Sequence, residues 1–145
     1  MHGSLVFKIV IIFACAMLLI SCASTEPFYQ GRELLNQQKY QEAINIFSEV
    51  IEKKPGAASY YYRGIAYGRL HDDISAFADF DKALELKPDM STAYYNRGIS
   101  LSMLGNHRRA IEDFTKEIEL SKKYGLERNL LAEIYFMRGF AYHEI

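Results

Sequence analysis

Apolar and polar residues follow a helical period between residues 60 and 88. Tyr60, Gly64 and Tyr67 recur at i, i+4 and i+7, which places them on one face of a first amphipathic helix. After a polar corner, the apolar stripe of a second helix consists of Ala76, Phe80, Ala83 and Leu84. Asp72 or Asp73 precedes this helix and can accept its free backbone N–H groups. The stretch therefore predicts two amphipathic helices joined by a tight corner.

The same arrangement recurs at a nearly fixed interval. Gly31, Gly64 and Gly98 stand at i, i+33 and i+67. Three alanines keep the same two intervals, and so do three phenylalanines. The alanines are Ala43, Ala76 and Ala110, and the phenylalanines are Phe47, Phe80 and Phe114. A glycine inside a helix costs about 1 kcal/mol relative to alanine, so its recurrence indicates the close approach of a partner helix. The sequence predicts three copies of one two-helix unit, followed by a fourth that contains Arg138 and Gly139.

This pattern resembles the tetratricopeptide repeat (TPR), a helix–turn–helix unit of about 34 residues. The resemblance covers roughly Glu26 to Ile145. It implies an all-α fold, namely an α-solenoid of antiparallel helix pairs with about three full repeats plus one half repeat. The TPR domain is expected to span residues 27–145, with repeats at about 24–56, 57–90 and 91–131 and a partial repeat at 132–145.

The spacing changes after the third copy. The step from Gly98 to Gly139 is seven positions longer than the step from Gly64 to Gly98. Seven residues form about two helical turns, which predicts a longer second helix in repeat 3, a break near Gly125 and a longer first helix in repeat 4. Such an insertion is either part of a binding edge or a neutral spacer.

The last predicted helix is apolar on nearly all sides, and the sequence reaches Ile145 without a second helix for repeat 4. A terminal repeat normally presents a polar outer face to solvent. Two interpretations stay open. The sequence is the N-terminal TPR part of a larger, truncated protein with an enzymatic domain downstream, or another chain covers this face. A large exposed apolar patch promotes association, so we expect self-association through the C-terminal helix or capture of a partner helix.

The N-terminal segment, 1–21, has the organisation of an export signal. Lys8 precedes the apolar run Ile9–Ile20. A helix needs about 20 apolar residues to span a bilayer, and this run is well short of that length. The residues Leu19-Ile20-Ser21-Cys22 resemble the lipobox of bacterial lipoproteins, in which the cysteine is acylated and the chain is cut before it. We therefore predict a lipoprotein signal peptide at 1–21 and a short tether at 22–26 from the lipidated Cys22. The alternatives are an ordinary signal with a chance cysteine and an uncleaved anchor.

Lipidation also accounts for the cysteine content. Cys15 would leave with the signal peptide, so Cys22 would be the one cysteine of the mature chain, without an intrachain partner. Each buried CH₂ group contributes about 0.8 kcal/mol to membrane binding, and two or more acyl chains anchor a protein stably. We expect a lipid-anchored protein at the bacterial cell membrane or outer membrane, on the periplasmic or extracytoplasmic side.

No group of residues has the pattern of a catalytic or metal site. Catalysis needs a nucleophile, a base and orienting groups that converge, and His71, His107 and His143 fall at different places within the repeat. The formal net charge of −1 gives no overall attraction to nucleic acid. The sequence therefore predicts a protein that is not an enzyme, with no catalytic residues, metal ligands or cofactors and no nucleic-acid partner.

The resemblance also implies a binding surface. In this family the first helices of the repeats line a concave groove, and the matching positions here are mostly aromatic and aliphatic. These groove candidates are Phe28, Arg32, Tyr61, Ile65, Arg69, Tyr95, Ile99, Met103, Phe136 and Phe140. Some of them could instead pack between helices. The Lys/Asn/Arg clamp with which chaperone-binding members hold a terminal carboxylate is largely absent, since the matching places hold Phe28, Arg32, Tyr62, Thr92 and Asn96.

Together these features predict a non-enzymatic, membrane-anchored scaffold for protein–protein interaction in the bacterial cell envelope. Its partner would be an envelope protein, bound through a helix or an extended peptide in the groove.

Overall fold

The computed structural model describes residues 27–125 and 128–145. These residues form seven helices and no strand. The helices are α1 (27–36), α2 (Tyr40–Lys53), α3 (Ala57–Arg69), α4 (Asp73–Leu86), α5 (Ser91–Met103), α6 (His107–Tyr124) and α7 (Arg128–His143). The predicted all-α solenoid of helix pairs is confirmed. The predicted signal peptide, the tether and Cys22 lie outside the described residues.

The helices stack in chain order. From α2 to α7, consecutive helices pack on one another, as short connections between antiparallel helices require. The first helices of successive pairs also meet, since α3 contacts α5 and α5 contacts α7. These first helices therefore line one side of the stack, while α4 and α6 lie on the other side.

The recurring glycines explain how tightly each pair closes. A Cβ atom added to Gly31, Gly64 or Gly98 would lie 2.8 Å from the ring of a phenylalanine on the second helix of the same pair. These rings belong to Phe47, Phe80 and Phe114, which are almost completely buried. A Cβ contact that short does not occur without movement, so only glycine lets the ring reach the backbone. The glycines recur once per repeat because each helix pair contains the same contact between a glycine and a phenylalanine ring.

The corners between the paired helices also repeat. Gln38, His71 and Gly105 have φ angles of 60°, 59° and 75°. A residue in the left-handed backbone conformation therefore turns the chain at the same repeat position in the first three pairs. Asp72 then caps α4, because its carboxylate accepts the backbone N–H of Ser75 at 3.1 Å. His71 is thereby a corner residue.

The longer interval near the C-terminus is divided between two helices. The helix α6 has 18 residues against 14 in α4, and it ends at Gly125, whose φ of 69° is left-handed. The helix α7 begins at Arg128 and has 16 residues against 13 in α5, which confirms the longer first helix predicted for repeat 4. Ile118 of α6 and Ile134 of α7 lie in one buried cluster that joins the two helices.

No helix within the two described ranges is both long enough and apolar enough to cross a membrane.

Candidate functional site

A cleft of about 430 Å³ runs between α3 and α5 and extends to α7. Six of the ten groove candidates line it, and they are Tyr61, Ile65, Arg69, Tyr95, Ile99 and Met103. The first three lie on α3 and the last three on α5. The structure therefore brings together those candidates that belong to two neighbouring first helices.

The repeat itself aligns these side chains in two rows. Tyr61 and Tyr95 lie one repeat apart, as do Ile65 and Ile99. Each row advances along one face of its helix at i, i+4 and i+8, which follows the 3.6-residue period. The cleft thus presents two equivalent aromatic and aliphatic strips, with Met103 on the rim, 67% exposed.

One wall of the cleft is joined to α7 by a strong hydrogen bond. The Oη atom of Tyr95 donates to Oε1 of Glu133 at 2.6 Å. Burial raises the pKa of Tyr95, and the hydrogen bond to the negative Glu133 raises it further. Tyr95 therefore remains a neutral donor, and Glu133 adds a negative charge at the edge of the cleft.

The opposite row contains a second polar link. The amide nitrogen Nδ2 of Asn96 donates to Oη of Tyr61 at 3.3 Å and to the carbonyl oxygen of Thr92 at 2.7 Å. Burial is the main factor that raises the pKa of Tyr61. Asn96 and Tyr61 thus connect α5 to α3 and supply amide and hydroxyl groups that can hydrogen-bond a peptide backbone.

The rim of the cleft carries charges of both signs. Arg69 lies at the end of α3, while Asp73 and Glu133 lie on α4 and α7, and the imidazole of His71 lies in the corner between α3 and α4. Apolar walls with a few placed polar groups are typical of a binding cleft. Such walls suit apolar side chains of a bound segment, and the polar groups suit its backbone or its charged ends.

The other four groove candidates lie elsewhere. Phe28 packs edge to face against Phe47 and Tyr62, with ring centroids 5.9 and 5.6 Å apart, so it belongs to the core of the first pair. Phe28 also borders a second cavity of about 550 Å³ between α1 and the corner after α2. Arg32 lies over the ring of Tyr62 at 5.1 Å.

Two candidates lie on α7 outside the cleft. Phe136 and Phe140 are 71% and 48% exposed on a face of α7 that no following helix covers in the described part of the chain. They do not line the cleft between α3 and α5. That the full set of ten residues binds a partner stays a prediction.

Sequence reasoning did not select several residues that shape the cleft. Glu133, His71 and Asp73 all line it, and none was among the groove candidates. Glu133 lies three residues before Phe136 on α7, so the helical period places it almost one turn away, toward α5. Glu133 is the one acidic residue of α7, and that was the available signal.

Metal chemistry has no support in the described ranges. No three His, Cys, Asp or Glu side chains in residues 27–125 and 131–145 approach one another closely enough to hold an ion. His71 lies at a corner, and His107 is the first residue of α6.

Comparison with known proteins agrees with this architecture. Two sequence profiles, each described as Tetratricopeptide repeat, match residues 29–79 and 91–124, which together exceed half of the chain. A UDP-N-acetylglucosamine--peptide N-acetylglucosaminyltransferase of Giardia intestinalis is 38% identical over 66 residues, or 44% of this chain. The chain spans only 4% of the length of that protein, so the similarity concerns the repeats alone.

Solved structures with the same fold include two domains in complexes. The TPR2B domain of yeast Sti1, in a complex with pHsp70, has a TM-score of 0.78 and 21% identity, covering 84% of this chain and 98% of that one. The first TPR of Spaghetti (RPAP3), bound to the HSP90 peptide SRMEEVD, has a TM-score of 0.69 and 25% identity, covering 77% and 90%. With the repeated glycine–phenylalanine contacts and both sequence profiles in agreement, this chain belongs to the tetratricopeptide repeat family.

Proposed function

We propose that this protein is a non-enzymatic scaffold that holds a peptide or helix of an envelope protein in the cleft between α3 and α5. The observation that carries the proposal is the pair of equivalent rows, Tyr61 with Ile65 and Tyr95 with Ile99, which border one cleft with amide and charged groups at its edges. Two parallel apolar rows suit a segment with apolar side chains at regular intervals.

The similar domains support a peptide as the ligand, since that of Spaghetti was solved with a bound peptide. The chemistry of this cleft points to a different sequence. Glu133 and Asp73 give it an acidic edge, and Arg69 is the one basic residue among the groove candidates that line it. We therefore expect an apolar segment with a basic residue near Glu133, bound without dependence on a free terminal carboxylate.

Peptide selection on the immobilised full chain tests this proposal. Peptides that tile envelope proteins are screened, and the affinity of the selected peptides is measured by calorimetry for the wild type and for Met103→Glu. Met103 is largely exposed, so the substitution leaves the fold intact but introduces a charge into the apolar row. We expect at least about tenfold weaker binding, equivalent to about 1.4 kcal/mol.

The matched control is Glu112→Gln, an exposed position on α6 that lies outside the cleft. It should bind the selected peptides as the wild type does. Equal affinity of Met103→Glu and the control would contradict binding in this cleft.

Membrane anchoring is the second part of the proposal. It is supported by Leu19-Ile20-Ser21-Cys22 and by the loss of Cys15 that signal cleavage would bring. The anchored protein would lie on the extracytoplasmic side of the cell membrane or outer membrane and hold its partner close to the lipid surface. Metabolic labelling with a fatty-acid analogue should mark the wild type and leave Cys22→Ser unmarked, whereas equal labelling of both would exclude acylation at this residue.

A larger enzyme is the alternative, and the Giardia intestinalis transferase is the observation that favours it, because the region similar to this chain is a small part of that protein. The reading frame beyond the codon for Ile145 distinguishes the two. A catalytic domain encoded there would replace the scaffold proposal.

A further inference from the structure

One carboxyl group in the interior of the stack has no counterpart in the earlier helix pairs. Glu117 of α6 is completely buried, and the equivalent positions in α2 and α4 hold Val50 and Ala83. Its Oε1 atom accepts a hydrogen bond from Oγ of Ser121 at 2.6 Å, while Oε2 has no partner among the described residues. A buried polar atom without a partner costs free energy, so packing alone does not explain a glutamate at this position.

The hydrogen-bond donor to Glu117 lies in the additional turns of α6. The residues equivalent to Ser121 are Lys54 and Lys87, which stand just beyond the ends of α2 and α4. The helix α6 continues to Tyr124, so Ser121 lies inside it, one turn after Glu117 and on the same face. The buried carboxyl group and its donor therefore depart from the repeat together, in one region of α6.

Two neighbouring helices keep water away from Glu117. Among the helices α2 to α7, α6 packs only against α5 and α7. Ile118, the residue after Glu117, belongs to a buried cluster that also contains Leu101 of α5 and Ile134 of α7. Water therefore reaches the carboxyl group when α6 separates from one of these two helices.

No described charge compensates an ionised Glu117. On α5 the nearby Tyr95 is neutral, since burial, the hydrogen bond to Glu133 and the charge of Glu117 all raise its pKa, and Glu133 on α7 is itself negative. Burial raises the pKa of Glu117, and the hydrogen bond from Ser121 opposes this only in part. Basic side chains of the three helices contact other groups: Arg97 pairs with Asp113, Lys116 pairs with Glu119, Lys122 lies over Tyr135, and Arg138 donates to Thr115.

The two sides of α6 are closed with different strength. Toward α5, Arg97 donates to both carboxylate oxygens of Asp113 at 2.8 Å, and the glycine–phenylalanine contact of this pair adds a buried ring. Toward α7, the described side chains form one hydrogen bond, from Arg138 to Thr115 at 3.3 Å. The contact between α6 and α7, called the α6–α7 seam below, is therefore the side that opens more easily.

We propose that Glu117 is a proton-dependent switch of the α6–α7 seam: its neutral carboxyl group lets the seam close, and ionisation of this group opens the seam to water. Glu133 of α7 lines the cleft between α3 and α5, so opening of the seam also displaces one edge of that cleft. The proposal does not depend on the function proposed for the cleft, and it is the same if further repeats follow α7.

The direction of the switch follows from the two environments of the carboxyl group. In the open seam water surrounds Glu117, and the group loses its proton near its ordinary pKa of 4.5, whereas in the closed seam burial keeps the proton on it at higher pH. Between these two pKa values the ratio of open to closed seam rises about tenfold for each pH unit. The seam is therefore closed in acid and opens as the pH rises.

Hydrogen–deuterium exchange on the purified full chain tests the proposal between pH 4 and pH 8. A helix of 16 residues such as α7 is marginal on its own in water, so its amides exchange once the seam opens. At pH 8 they should exchange at least about tenfold faster in the wild type than in Glu117→Gln, which does not ionise. At pH 4 the two rates should be equal. Comparison at one pH cancels the intrinsic pH dependence of exchange.

Urea distinguishes opening of the seam from global unfolding. Exchange of α7 in the wild type at pH 8 should change little with low concentrations of urea, because opening the seam exposes little surface. The slowest amides of α3 should respond steeply, since they exchange through global unfolding. Glu117→Ala, which places in α6 the residue found in α4, should behave as Glu117→Gln does. The matched control is Glu119→Gln, at an exposed position of α6, and it should behave as the wild type does.

A pH-dependent, urea-insensitive exchange of α7 that both Glu117 variants remove supports the proposal. The same pH response in the wild type and in Glu117→Gln overturns it, as does exchange of α7 and α3 at one rate with one urea dependence. If Glu117→Gln is unfolded at pH 4, the charged carboxylate holds the fold, which also overturns the proposal.

Discussion

The helices α5 and α7 share the sequence Tyr-x-x-Arg-Gly but lie in different surroundings. In α5, Gly98 receives the ring of Phe114, and Arg97 pairs with Asp113. In α7 the matching arginine and glycine meet no such helix within the described residues. The same five-residue pattern is therefore a core contact in one place and an exposed surface in the other. A repeat of this kind acquires its stability from its neighbours rather than from its own sequence.

The largest contrast is expected from removing an aromatic ring on each side of this comparison. Phe114→Ala removes a completely buried ring from the α5–α6 pair and should lower the free energy of unfolding by about 3–5 kcal/mol. Phe136→Ala removes a side chain that is 71% exposed, and it should change the free energy of unfolding by less than about 0.5 kcal/mol. Urea unfolding with an unchanged slope measures both values. Similar losses for the two variants would show that α7 is covered in solution.

Substituting Arg97 or Arg138 should give a smaller difference in the free energy of unfolding. Arg97→Met leaves the buried carboxylate of Asp113 without its bidentate partner and should destabilise the protein by about 3 kcal/mol. The double variant Arg97→Met, Asp113→Leu should recover much of this loss, because the unpaired charge is gone. Arg138→Met should change the free energy of unfolding by almost nothing in the same urea unfolding measurement, because it leaves no buried carboxylate of the described residues unpaired. A loss with Arg138→Met as large as with Arg97→Met would argue against this difference between the pairs.

The smallest expected effect concerns a difference between the second helices α4 and α6. Glu117 in α6 takes the place of Ala83 in α4, and both are completely buried. Its Oε1 atom accepts a hydrogen bond from Ser121 at 2.6 Å, while Oε2 has no partner among the described residues. Burial raises the pKa of Glu117 above its ordinary value of 4.5.

This shift sets the direction of a pH dependence. The folded protein keeps the proton on Glu117 at pH values where the unfolded chain has lost it. The contribution of protonated Glu117 to the free energy of unfolding is therefore fully present below about pH 4.5. It is lost as the pH rises through the raised pKa of Glu117. Glu117→Gln should be more stable than the wild type by about 1 kcal/mol near pH 8 and nearly equal to it at pH 4. Glu119→Gln, at an exposed position, is the control and should show no such difference across pH.

Much of the fold was predictable because its main contacts have a constant spacing. The step from Gly64 to Phe80 equals the step from Gly98 to Phe114, so a local pattern repeated along the chain encodes each pair. The longer interval before Gly139 correctly predicted a break near Gly125. The same interval predicted a longer first helix in repeat 4, and α7 has 16 residues against 13 in α5.

The candidate site was predictable only in part. The position within the repeat was the only basis for choosing Tyr61 and Tyr95, which do line the cleft. The same criterion also chose Phe28, which does not line it. Phe28 is drawn into the core by Phe47 and Tyr62, which a one-dimensional register does not describe.

The sequence by itself determined the helices, their pairing and the repeat that relates them, because each of these follows from spacings no longer than one repeat. Only the tertiary structure decided what the equivalent residues do. Tyr95 meets Glu133 on another helix, and Glu117 loses its contact with water, because helices distant in the chain pack around them. Arg138 and Gly139 meet no following helix within the described residues, and this difference from Arg97 and Gly98 is likewise one of neighbours in space.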